Sequence, residues 1–549
     1  MKQWFKSGSP WIWLTAGAVA VSLILVFGLL LLIAARGLGH FWPATLWEYD
    51  YQNQDGSVVR LIGEIQDEET VTAQRLRSAG MHIEGEGDVT RYLLKTGNRD
   101  VTGLDFRWVL RPGMQATRNP ETLMTVERRE WGNLYGYLNA VQENQQTVVV
   151  GQQAWDSLQQ RLARATDLFA QIRRLEKGEI GAINYGLERL RLRERGLQLK
   201  GDSDPGKRAA IEQERAALHV EYEDLQQRLS DLYQQINRDQ MMVTVADGQT
   251  VMVPLAKVVD AYRPNDMSLI SKLGFYFAKV WEFVSDEPRE ANTEGGIFPA
   301  IFGTVMMVII MSIMVVPFGV VAAVYLREYA RQGPLTQLIR IAVNNLAGVP
   351  SIVYGVFGLG FFVYFLGGNL DQLFFPEALP APTFGTGGLM WASLTLALLT
   401  VPVVIVATEE GLSRIPKSVR EGSLALGATK AETLWRTVLP MASPAIMTGM
   451  ILAIARAAGE VAPLMLVGVV KLAPSLPLDV NAPYLHLDRK FMHMGFHIYD
   501  VGFQSPNVEA ARPLVYATAL LLVLVIVALN LAAIAIRNHL REKYRTLEN

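Results

Sequence analysis

Long apolar runs divide this chain, and one polar stretch separates the first of them from the rest. The run from Trp11 to Ala35 holds no charge. It exceeds both the ~20 residues that carry a helix across a bilayer and the core of a signal peptide, so it predicts a retained membrane helix. Runs of comparable length at Ile297 to Leu326, Ile341 to Leu366, Leu389 to Thr408, Pro444 to Val470 and Pro513 to Ile536 predict five more. The expected fold class is therefore an α-helical polytopic membrane protein with about six spans.

The polar stretch is too long for a simple connection and predicts a folded domain. The organisation expected is a short terminus with the first span over residues 1–38, an insert over 39–291, and five spans over 292–549. From Gly56 to Val150, alternating segments such as Val58 to Ile62 and Thr90 to Leu94 are punctuated by Gly85, Gly87, Gly97-Asn98 and Pro112-Gly113, which predicts a small sheet. Trp155, Leu158, Leu162, Ala165, Phe169 and Ile172 then recur at helical spacing, as do Leu218, Tyr222, Leu225, Leu229, Leu232 and Ile236. With the turn-forming Gly201 to Gly206 between them, they predict an antiparallel helical hairpin over 151–238 whose apolar seams zip together, with a parallel coiled-coil dimer as the alternative. Deleting Gly151 to Arg238 is expected to leave the six-span core foldable. A strand pair around Asp247-Gly248 returns the chain to the sheet, making the insert an α+β domain.

Charge adds orientation. Cationic loops stay on the cytoplasmic side, and Lys2 and Lys6, Arg327 to Arg340, Arg414 to Arg436 and the tail from Arg537 to Arg545 all fall on one side of an even number of spans. Both termini are thereby expected in the cytoplasm and the insert on the external side. Overall the 549 residues carry a net charge of −2, which offers nothing to nucleic acid. Cysteine is absent, which excludes disulfides, thiolate metal sites and cysteine nucleophiles.

The most specific pattern lies in the cytoplasmic segment 412–440. Glu421-Gly422-Ser423-Leu424-Ala425-Leu426-Gly427 is closed by Leu439-Pro440, and a helix, a glycine-permitted bend and a second helix make a rigid knob suited to a groove in a partner. This resembles the coupling motif of ABC importer permeases, with Gly422 and Ser423 in place of two alanines and Thr437 in place of isoleucine. Asn292 to Gly296, Gly348 to Gly355 and Ala455 to Pro463 resemble, in order and spacing, the PstA-type permease of the phosphate-specific importer. That resemblance implies six transmembrane helices of the type I importer permease kind. It also implies a PstC-like second permease, a PstB-like ATPase dimer and a PstS-like phosphate-binding protein as partners, besides membrane lipid. It covers residues 1 to about 45 weakly and 290–549 strongly; the insert has no counterpart in ordinary members.

Arg456 and Glu460 stand in the fifth apolar run, roughly 17 and 23 Å along a helix at about 1.5 Å per residue. A lone charge there costs about 2.5 to 3.5 kcal/mol on insertion scales, and an i,i+4 spacing lets the two pair on one face. Two readings stay open, a permanent internal ion pair or a guanidinium presented to a passing oxyanion. The resemblance puts both residues on the translocation path. Where PstA permeases commonly carry an R-T-T-E pattern, this chain reads Val406-Ala407-Thr408-Glu409, so either a partner supplies the second cation or the substrate differs from phosphate. Glu409 and Glu410 read as a membrane edge. His486, His493 and His497 read as solvated loop residues in preference to zinc ligands, and Gly355, Gly358 and Gly360 as helix-packing positions.

No G-x-x-x-x-G-K-[ST] loop occurs, so ATP hydrolysis is assigned to another polypeptide, no cofactor is expected, and no nucleophile or paired-carboxylate constellation supports an enzyme. The expected function is transfer of phosphate from a periplasmic binding protein to the cytoplasm. A permease for sulfate or another oxyanion and a membrane-anchored periplasmic sensor are the alternatives.

Overall fold

A computed structural model describes residues 7–78, 80, 87–151, 153–289, 292–505 and 508–544. Gly85, in the sheet-punctuating series, and Arg545, in the tail's cationic series, lie outside them, as do Lys2 and Lys6. The chain forms two compact units, one from Phe41 to Gly296 and the other from the residues on either side of it.

Helix α1, Ser9–Gly39, belongs to the second of these. It is exposed along nearly all its length, which suits a lipid surrounding for the uncharged stretch from Trp11 to Ala35.

The insert begins with five antiparallel strands: β1 Trp47–Gln52, β2 Val58–Thr72, β3 Asp88–Lys95, β4 Phe106–Leu110 and β5 Met114–Arg118, in the order β4-β3-β2-β1-β5. A second sheet follows from β6 Leu123–Arg128, β7 Leu134–Glu143, β8 Gln146–Val150, β9 Asp239–Thr244, β10 Thr250–Pro254 and β11 Val258–Tyr262, ordered β10-β9-β7-β6-β11 with β8 on β7. The small sheet expected over 56–150 is thus two sheets. Glycine and bulge spacing cannot reveal this, because alternation is the same in both. Leu46, Ile62, Leu123 and Tyr135 pack together between them.

Helices α2 (Gln153–Arg174) and α3 (Gly181–Leu199) are joined by a π-helical stretch, and α4 (Pro205–Ile236) returns antiparallel after the Asp204 carboxylate caps it by accepting from the Gly206 N–H at 2.8 Å. The seams meet in part as expected, with Leu229, Leu232 and Ile236 of α4 packed in the same cluster as α2, but α2 also covers the sheet. Leu158, Leu162, Ala165 and Ile172 of α2 close over Val126, Leu134, Val141 and Val243 of the sheet, while Leu175, Ile183 and Leu187 pack on Leu218, Tyr222 and Leu225 of α4. A single apolar stripe therefore serves sheet first and partner helix second. Helix α5, Leu269–Ser285, was not anticipated; Ser268 caps it by accepting from Ser271 N–H at 3.3 Å. Two-residue strands β12 (Pro288–Arg289) and β13 (Glu294–Gly295) then pair, and Gly295 adopts φ +83° while a Cβ on Gly296 would meet Asp286 O at 2.4 Å. That backbone is the reason for glycine at both positions.

In the membrane unit α6 (Phe298–Val324) continues to Tyr329, and α7 (Pro334–Leu346) is a separate amphipathic helix. The third span is Ser351–Phe374, beginning with α8 (Ser351–Phe357), not the run from Ile341: Pro350 forces its predecessor out of the helical region and ends α7 short of it. Helix α9, Leu389–Arg414, is the most enclosed span. It is flanked by α6 and by α12 (Leu439–Gly459), which it reaches through the short helices α10 (Lys417–Ala425) and α11 (Lys430–Thr433). Small residues make these crossings possible: a Cβ on Gly319 would lie 2.6 Å from Val404 Cγ1, and one on Gly411 would lie 2.4 Å from Ala445 Cβ. Gly355 and Gly358 meet Pro463 and Thr395 in the same way, whereas Gly360 has open space around it. Helices α13 (Ala462–Val467) and α14 (Met494–Tyr499) precede the last, α15 (Val508–Tyr544). Among the described residues, six helices have the length and apolarity of membrane spans.

Candidate functional site

The segment joining α9 to α12 folds as two short helices around a bend. Gly427, at φ +89°, makes the bend, and Thr429 opens α11 with a capping box in which its hydroxyl accepts from the Glu432 N–H and the Glu432 carboxylate accepts from the Thr429 N–H at 2.9 Å. The substitutions away from alanine have local reasons. Ser423 shares a 2.9 Å hydroxyl hydrogen bond with Thr433 across the bend, and Gly422 faces open space. Glu421 is exposed. Leu439 and Pro440 open α12 directly after a π-helical turn, Leu434–Val438, where proline interrupts the ordinary i→i−4 ladder of a continuous helix.

Two features of this element escaped the sequence pattern. Arg420 is sequestered beneath it, donating to the carbonyls of Leu412 and Ile415 at 2.8 and 2.7 Å and to Glu328 Oε1 at the end of α6 at 2.9 Å. The other is an apolar outer surface: Leu426 is 90% exposed and Trp435 77%. Arg420 and Glu328 lie far apart in sequence, and Leu426 and Trp435 read there as ordinary helix residues; only a bend at Gly427 turns them outward. Glu409 pairs with Arg340 of α7 at 3.3 Å, and Glu410 lies 3.9 Å from Arg414, as suits a membrane edge.

Arg456 and Glu460 are brought together, their Nε and Oε1 3.7 Å apart and both half-buried. They do not share one continuous helix. Helix α12 ends at Gly459, and Glu460 takes an extended conformation with ψ 133°, because Pro463 lies just beyond and starts α13. The span is Lys430–Gly459, not Pro444 to Val470, so Arg456 sits in the last turn of its helix, where the backbone dipole favours a cation. Ala457 and Ala458 beside it are fully buried in the core shared with α9. Val406 is exposed, on the side of α9 away from that core.

The three histidines are buried, which corrects the expectation of solvated residues. His486 Nε2 lies 3.0 Å from Asp479 Oδ1, His493 Nδ1 accepts from the Gly495 N–H at 3.1 Å, and His497 sits near Asp500 and Lys471. Burial pushes His493 and His497 down to about 4. The α14 turn folds them inward, and the Met494 N–H donates to Thr304 Oγ1 at 2.9 Å. Among the described residues, no three His, Asp or Glu side chains converge as a metal site.

Residues 315–546 match the family described as binding-protein-dependent transport system inner membrane component. The phosphate transport system permease protein PstA of Mycobacterium leprae (strain TN) is 34% identical over 276 residues, covering 49% of this chain and 81% of its own. PstA 1 of Mycobacterium tuberculosis (strain CDC 1551 / Oshkosh) is 37% identical over 245 residues, covering 44% and 71%. Among solved structures, the MetNI methionine ABC transporter in inward-facing conformations aligns with 50% of this chain and 99% of its own at 18% identity and TM-score 0.31. On the strength of the sequence relatives, the chain belongs to the PstA-type permeases, multi-pass proteins of the inner membrane.

Proposed function

We propose that the chain is one membrane subunit of an ATP-driven importer that passes inorganic phosphate from a periplasmic binding protein to the cytoplasm. A PstC-like permease completes the pore and a PstB-like ATPase dimer drives it, with both termini cytoplasmic and the insert periplasmic. The observation that carries this reading is the bent two-helix element around Gly427. It is anchored from behind by Arg420 and Glu328 and bears a large exposed apolar surface at Leu426 and Trp435. A partner's groove can enclose that surface and transmit closure of the ATPases to α9 and α12.

Arg456 is the residue assigned to the anion. At 3.7 Å its contact with Glu460 is Coulombic and not a hydrogen bond, so the guanidinium is balanced by the carboxylate without its planar fork being consumed by it. A tetrahedral oxyanion fits that fork. Val406 in place of the arginine of the R-T-T-E pattern favours, as a second reading, another oxyanion such as sulfate. Purification of the tagged chain from its own membranes with mass spectrometry tests the assembly, and competition of labelled phosphate uptake by sulfate tests the substrate. An ATPase and a second permease co-eluting, with sulfate ineffective, is the expected result. Absence of both proteins from a stable preparation contradicts it.

A further inference from the structure

Helix α5 turns its charged residues inward and leaves a stripe of large apolar residues outward, unlike the polar outer face of a helix on a water-soluble domain. On the inner face, Lys279 Nζ reaches Glu127, Asp260 and Glu282 at 2.9, 3.2 and 2.8 Å, and Arg289 Nη2 lies 3.6 Å from Glu282 and 3.8 Å from Glu127. Burial pulls the Lys279 ammonium down and pushes the Asp260 and Glu282 carboxyls up, yet the surrounding carboxylates hold Lys279 above its ordinary value, so the ammonium stays charged and fastens the helix to β6 and β11. Phe275 packs on Tyr262 with ring centroids 4.4 Å apart and planes tilted by 50°. On the outer face, Ile270, Phe277 and Trp281 are 83%, 66% and 71% exposed, with Leu269 and Leu273 beside them. Positions 270, 273, 277 and 281 form one continuous stripe.

The chain's path says what covers that stripe. Phe41 and Trp42, the first aromatic residues after the first span ends at Gly39, pack on the helix: Phe41 lies 5.1 Å from Phe283 and 6.3 Å from Tyr276, and Trp42 lies 6.1 Å from Tyr276. At its other end the β12–β13 pair folds the chain back, and the Gly296 N–H donates to Glu287 O at 3.2 Å immediately before the second span starts at Phe298. The residues that directly follow the first span and those that directly precede the second are therefore both packed at this one helix of the insert. A helix so tethered, with Trp and Phe among its outward residues, matches the segments that lie in the interface with the apolar face sunk about 5–10 Å.

We infer that α5 is an interfacial helix, its Ile270–Leu273–Phe277–Trp281 stripe embedded in the lipid leaflet on the insert's side of the membrane. The absence of native cysteine allows a direct test. The full chain carrying Phe277→Cys, Trp281→Cys or Ala278→Cys is spin-labelled and reconstituted in phosphatidylethanolamine–phosphatidylglycerol vesicles. Collision of the label with oxygen and with a water-soluble nickel chelate is then measured, and Val220→Cys on the exposed face of α4 serves as the aqueous control. The inference expects oxygen accessibility to exceed that of the chelate on α5, with the order reversed at 220. Chelate accessibility on α5 equal to that at 220 overturns it in favour of an aqueous face. Labels on α5 shielded from both reagents overturn it in favour of a protein partner. Because all three α5 positions are exposed, loss of one variant leaves the others to read the same face.

Discussion

Arg420, in the first short helix of the coupling segment, reaches Glu328 at the end of the second span at 2.9 Å, with both side chains largely withdrawn from water. The contact ties the segment between α9 and α12 to the end of the second span. Removing the carboxylate strands a guanidinium that also serves two backbone carbonyls. Glu328→Gln is expected to destabilise this corner by roughly 1–3 kcal/mol, as for hydrogen bonds to charged groups. Transport per assembled complex should fall with it. Thermal unfolding beside transport-coupled ATP hydrolysis checks this.

Leu426 and Trp435 lose nothing inside this chain when truncated, since they are exposed. Leu426→Asp and Trp435→Ala should leave expression and melting unchanged within about 0.5 kcal/mol, the usual range for surface changes. Retention of the ATPase through detergent purification should drop severalfold. Glu421→Lys in the same segment should uncouple transport while assembly persists.

The spans were legible because lipid demands unbroken apolar runs, and the bent coupling element because its small residues and glycine stand at a definite spacing. Span ends were not: Ile341 and Pro444 open apolar runs, but helix geometry is decided by Pro350, Gly459 and Pro463, where hydropathy is blind. Arg456 and Glu460 were found by their rarity in an apolar run, whereas Arg420 and Glu328 are common residue types paired only by the fold. Helix α5 was hidden for a related reason, as its stripe is too short for a span and Lys279 and Glu282 make it read as surface.

The hairpin divides into a part that belongs to the sheet and a part that does not. Leu158, Leu162 and Ile172 fill the sheet's core, so deleting Gly151 to Arg238 strips that core even if the six spans still insert. Each such buried side chain is worth about 2–5 kcal/mol, and the insert should become protease-sensitive. Replacing residues 186–214 by a short Gly-Ser turn removes only helix that packs on helix and should preserve the protease resistance of the rest. Limited proteolysis of both deletions in membranes distinguishes them.

Acidification should destabilise the loop carrying α14. His493 and His497 are held at about 4 against an ordinary 6.5, His497 with Asp500 opposing that shift and Lys471 adding to it. As pH falls from about 6.5 to about 4, the unfolded chain binds protons that the native state refuses, so stability declines through that window and is unaffected above it. The slope is up to ~1.4 kcal/mol per pH unit for each histidine. Melting in detergent between pH 7.5 and 4.5 should show this decline, and His497→Leu should flatten it.

The role of Arg456 separates a permease that handles an oxyanion from one that merely contains an ion pair. A structural pair can be replaced as a unit by apolar residues of similar volume with little loss of stability. A translocation residue cannot. Uptake of labelled phosphate, normalised to assembled complex, is therefore measured for Arg456→Met combined with Glu460→Leu, and for Arg456→Lys. The account predicts that the double variant assembles normally and transports no phosphate, while the lysine variant keeps a fraction of wild-type uptake because charge survives without the planar two-point contact. Wild-type uptake by the double apolar variant would contradict it.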